Sequence, residues 1–119
     1  MKRILFVCCL LSATCAIPTQ KVHAQTVSVS DFNTKINQLD SLIGAGNMTL
    51  AQAKWNEVHT MMISELAVTK QNIATSGTSY MATMTNQQSL YRDIWALKDD
   101  MTTNRVQLHT KLVAFAATF

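Results

Sequence analysis

The sequence predicts an all-α protein: a long antiparallel helical hairpin, its first arm broken near Gly44 to Met48, behind an N-terminal signal peptide. Three observations predict it. Residues 80–119 contain neither Gly nor Pro. Within them Leu90, Ile94, Leu97, Met101, Leu108, Leu112, Phe115 and Phe119 recur at steps of three or four, with a gap at Arg105. That spacing keeps side chains on one face of an α-helix. Two shorter stretches upstream share the period and are separated by Gly44-Ala45-Gly46-Asn47.

The first 24 residues read as a secretory signal peptide. Lys2-Arg3 is a basic start, residues 4–16 form an apolar run too short to cross a bilayer comfortably, and Val22-His23-Ala24 supplies small residues at the −3 and −1 positions. Cleavage is expected after Ala24. The pattern is of bacterial type, so the expected location is the periplasm or the medium. A lipoprotein would require lipidation at Cys15, and Ser12-Ala13-Thr14 fits that signal poorly.

Removing this segment changes the composition. Of the 10 Lys and Arg, Lys2, Arg3 and Lys21 leave with it, and the remaining seven are balanced by seven Asp and Glu. The formal charge of +3 thus falls to zero, and no basic stripe remains for nucleic acid. Cys8, Cys9 and Cys15 also leave, so the mature chain is expected to have no disulfide, thiolate metal site or thiol nucleophile. No later segment is apolar over a membrane-spanning length.

Residues 25–30 are expected as a flexible lead-in. The helical domain is then 31–119, with helices at about 31–43, 50–75 and 80–118. In the first, Ser30 is the candidate cap, Asp31 suits the positive end, and Phe32, Ile36, Leu39 and Ile43 form the face. Gly44 to Asn47 stops it. Thr49 and Gln52 read as a capping box for the second helix. Its face is Ala51, Trp55, Val58, Met62, Leu66, Thr69 and Ile73. Ser76-Gly77-Thr78-Ser79 is a turn, and the longest helix follows.

At about 1.5 Å per residue, the first two helices together match the third in length. A turn centred on Gly77 and Thr78 would set Phe119 against Ile36 and Leu112 against Ile43, all apolar. The alternative is a compact three-helix bundle with the first helix folded back on the second. The hairpin exposes a second apolar edge at Tyr91, Trp95, Val106 and Val113, which calls for a protein partner or a homodimer. Arg105, in the seam gap, is expected to reach out to solvent; pairing with Asp40 or fixing the register are the other options.

Candidate chemistry is sparse. His59 and Met62 are the weak candidates for a copper or zinc site, because imidazole and thioether suit such metals. The hairpin register sets them opposite residues 93–95, away from the other methionines, which favours core packing. His109 stands alone, and no haem-attachment motif accompanies it. Asp99 and Asp100 are adjacent and so point about 100° apart, unlike paired catalytic carboxylates. There is no nucleophile elbow or Gly-rich phosphate loop. The expectation is no enzyme, no cofactor, no catalytic residue and no nucleic-acid partner.

Met48-Thr49-Leu50-Ala51-Gln52 and Met84-Thr85-Asn86-Gln87-Gln88 each fit a hydrophobic-Thr-x-x-Gln pattern. The pattern resembles the Leu-Thr-x-x-Gln repeats of the small periplasmic helical proteins of the Spy and CpxP group. That resemblance implies a chaperone or an envelope-stress or metal-stress sensor. Met replaces Leu, and the group's basic surface is absent. The leading expectation is an exported helical protein acting by self-association or protein binding, with the chaperone or sensor second and a metal-binding helical protein third.

Overall fold

The computed structural model describes residues 27–119; the signal peptide and its cleavage site lie outside the described residues. Those residues form α-helices with short turns, and no strand occurs among them. The helices are α1 (Val29–Gly44), α2 (Met48–Ser76), α3 (Met81–Leu97) and α4 (Arg105–Ala116).

The caps sit slightly earlier than the sequence suggests. Ser28, not Ser30, caps α1 by accepting from the Asp31 amide at 3.2 Å. Asn47, not Thr49, caps α2 by accepting from the Leu50 amide. Val29 and Ser30, expected in the lead-in, belong to α1, and Val27 already packs on the core. The bends at Gly46 and Gly77 need φ of +75° and +74°, which residues with a Cβ rarely adopt.

The expected continuous helix over 80–118 is instead two helices, interrupted over 98–104. Neither Gly nor Pro breaks it; polar side chains do. Asp100 accepts from the Thr103 amide at 3.1 Å, and the Asn104 side chain donates to the Leu97 carbonyl at 3.2 Å. Such side-chain bonds to the main chain compete with the helical ladder.

The contacts run antiparallel around a closed ring. Lys35 pairs with Glu57 at 2.6 Å, so α1 folds back along α2. His59 meets Tyr91 and Glu65 meets Gln87 between α2 and α3. Lys111 meets Asp93 and Thr118 meets Gln87 between α3 and α4. Asp40 with Arg105, Asn37 with His109, and Phe32 with Phe115 close α1 against α4. This is an up-down-up-down four-helix arrangement.

The broken hairpin is corrected accordingly, because both the 45–47 turn and the 98–104 break reverse the chain. The two reversals offset each other in one respect. α1 still packs antiparallel to the end of the chain, but with Phe32, not Ile36, beside Phe119. The three-helix alternative has α1 in the right place and one helix too few.

The predicted faces form the core. Phe32, Ile36, Leu39 and Ile43 are buried against Trp55, Val58, Met62, Ile94, Leu108, Leu112 and Phe115. Arg105 forms a two-point pair with Asp40, at 2.8 and 3.1 Å. Its position opposite Asp40 on α1 makes pairing available, where snorkelling to solvent had been expected. The Arg105 guanidinium holds the Asp40 carboxyl below its ordinary value, working against partial burial.

Candidate functional site

Along the α2–α3 seam the rings of Trp55, His59, Tyr91 and Trp95 form one aromatic cluster. His59 lies 5.7 Å from Trp55, 5.8 Å from Tyr91 and 5.3 Å from Trp95, between ring centroids. Tyr91 and Trp95, one helical turn apart on α3, stack at 6.0 Å. The Lys98 ammonium sits 4.2 Å from the Trp95 ring, a cation–π contact. Trp55 is buried, whereas Trp95 keeps 46% of its surface exposed.

Helical spacing builds this cluster. Trp55 and His59 are four apart on α2, as are Tyr91 and Trp95 on α3, and the turn at Gly77 sets the two pairs side by side. His59 Nε2 and the Tyr91 hydroxyl share a 2.9 Å hydrogen bond. Burial lowers the His59 pKa below the ordinary 6.5, and the nearby Lys98 charge lowers it further. Its neutral form is therefore favoured by the fold. Stability from this group is present above pH 6.5 and is lost as pH falls through the depressed value. Tyr91→Phe should cost about 0.5–1.5 kcal/mol, the net worth of one hydrogen bond. Thermal melts at neutral pH check the loss. The histidine resonances of Lys98→Ala should titrate at higher pH than those of the parent chain; an unchanged midpoint would remove the Lys98 contribution.

The two weak metal candidates are near in sequence but differently placed. Met62 is fully buried in the core, and His59 is bonded to Tyr91. Among the described residues, no three His, Cys, Asp or Glu side chains gather in metal-binding geometry.

The expected apolar edge is divided. Tyr91 and Trp95 belong to the aromatic cluster, and Tyr91 is half-buried. Val106 lies on α4 and lines a groove of about 470 Å³ between α3 and α4, together with Ala96, Leu97 and the Asp93–Lys111 ion pair. Val106 is 77% exposed, and Val113, seven residues on and hence on the same helix face, is 45% exposed.

Sequence reasoning placed Thr69 on the face of α2 but missed the buried polar cluster it joins, where α1 begins and α4 ends against α2 and α3. Glu65, Thr69 and Gln87 are all buried. The Gln87 side-chain amide nitrogen donates to Glu65 at 3.3 Å and to Thr118 at 3.0 Å, while its oxygen accepts from Thr69 at 2.7 Å. Burial raises the Glu65 pKa above the ordinary 4.5, and the Gln87 bond offsets this only in part. The available signal was positional: Glu65 and Gln87 each stand three residues from a core apolar residue, Met62 and Leu90.

No family model, curated protein or solved structure matches the chain. Among the described residues, no helix is long and apolar enough to cross a membrane.

Proposed function

We propose that this is an exported, non-catalytic helical protein that works through its surface, by associating with itself or by binding another protein. One observation carries the reading. The core is closed by four helices, yet Val106 and Val113 stay exposed on one face of α4, with Val106 lining the groove against α3. Exposed apolar surface of this kind suits protein contacts. Export rests on the N-terminal sequence pattern.

Cross-linking in an exporting host, followed by mass spectrometry of the recovered protein, tests the reading. Cross-links to a second copy or to a defined partner are expected. Intramolecular cross-links alone, across several linker lengths, would overturn it. The same preparation separates the runners-up. Suppression of client aggregation at near-equal ratio would favour the chaperone of Spy and CpxP type. Tight copper or zinc uptake, lost when His59→Ala and Met62→Ala are combined, would favour the metal-binding reading.

A further inference from the structure

The end of the α2–α3 hairpin is unlike the rest of the molecule. The apolar core reaches Met62, Leu66 and Leu90 and includes nothing beyond them on these two helices. α2 nevertheless runs on to Ser76, so about ten residues, roughly 15 Å of helix, extend past the core. α1 begins at Val29, and Thr118 near the end of the chain sits beside Gln87. Past Glu65 and Gln87, α1 does not accompany the pair, and α4 follows only with its end, where Ala114, Ala117 and Thr118 share a groove with Ala82, Thr83 and Asn86.

The composition of this tip is also distinct. Between Glu57 and Arg92 the only Asp, Glu, Lys or Arg residues are Glu65 and Lys70, and Glu65 is buried. Ile73 and Met84 are only half-buried there, and Tyr80 and Met81 are exposed. Short helices owe their stability in water mainly to packing of an apolar face. A two-helix tip whose Ile73 and Met84 are only partly covered lacks its complement.

We infer that the tip, residues 66–86, packs against the same tip of a second copy to continue the four-helix arrangement across a two-fold axis. The inference rests on the reading of a surface-acting protein and names its surface and partner. Two features select a second copy. Higher on the same two helices, α2 and α3 are covered by an antiparallel helix pair, α1 with α4; a second tip is itself an antiparallel helix pair. The near absence of charge also matches the charge-poor centre of a self-complementary interface and offers no pattern by which an unlike charged partner would be selected. Because Tyr80 and Met81 are the large apolar side chains the tip exposes, the dimer should be weak and concentration-dependent.

The test replaces Tyr80 of the full exported protein with the photoreactive residue p-benzoylphenylalanine, a substitution of similar size at an exposed site. Illumination at high protein concentration should cross-link Tyr80's replacement to residues 66–86 of a second copy. Sedimentation velocity on the parent chain should show a rising dimer fraction, reduced at least tenfold in affinity by Ile73→Asp or by Met81→Asp, with circular dichroism confirming that each variant is folded. Cross-links from position 80 to another protein, or a dimer unaffected by both variants, would overturn the tip interface while leaving the surface-acting reading in place. A monomer at every concentration, with no cross-link to any protein from any face, would remove both.

Discussion

Phe115→Ala is expected to destabilise the protein by about 3–5 kcal/mol, the cost of emptying a fully buried aromatic site. Phe115 is completely buried on α4. It packs on Phe32 at 6.0 Å and, edge-on, on Phe119 at 5.8 Å, so three rings hold α1 against the end of α4. A domain of this size is stable by only about 5–15 kcal/mol, so the loss is a large part of the whole. Phe119→Ala should cost less, because Phe119 is only half-buried, so the Phe32 and Phe115 rings it covers would meet solvent instead of a closed void. Urea unfolding followed by circular dichroism measures both. Equal losses for the two variants would show that the α1–α4 contact does not have the geometry described here.

The pairing tested by Phe115→Ala was partly legible in the sequence. Phe32, Ile36, Leu39 and Ile43 repeat at helical spacing with no polar interruption, and all four are buried. In the facing run Leu90, Ile94, Met101, Leu108, Leu112 and Phe115 recur at the same spacing apart from the gap at Arg105, and they too are buried. The register about Gly77 also set His59 opposite Trp95, and their rings do meet. What could not be read was where the last helix ends. Asp99, Asp100, Thr102, Thr103 and Asn104 are tolerated in a helix, and only the bonds they make to the main chain show that the ladder is interrupted. That interruption turns two arms into four helices and moves Val106 and Val113 away from Tyr91 and Trp95. The polar cluster was hidden differently. A search for apolar periodicity passes over Glu65 and Gln87 because each is polar, although each occupies a position on a buried face.

Gln87→Leu is expected to cost about 2–4 kcal/mol at neutral pH, because it strips partners from several buried groups at once. Thr69 would lose its acceptor, Thr118 one of its contacts, and the Glu65 carboxylate its one side-chain donor. Glu65 also sets a pH dependence whose sign is opposite to that of most carboxylates. Its folded pKa is raised, so the fold favours the protonated acid. No penalty exists below the unfolded value of 4.5. Stability then falls as pH rises through the raised folded value, and above it the full penalty applies. Asp40 acts in a different window: its pKa is lowered, and its stabilisation is lost only as pH falls below the ordinary 3.8. His59 opposes Glu65 below pH 6.5, so a single melting curve against pH would blend the two. The comparison of Glu65→Gln with the parent chain isolates the acid. Glu65→Gln should be the more stable by about 1 kcal/mol or more at pH 7, the usual cost of a buried polar group without full partners. The difference should shrink as pH approaches 4.5. Combining Gln87→Leu with Glu65→Leu should then cost less than the two single losses together, since the carboxylate left without its donor is gone. A pH-independent difference between Glu65→Gln and the parent would mean that the carboxylate is solvated in the folded protein. The cluster would then be a hydrated end of the bundle instead of its polar floor.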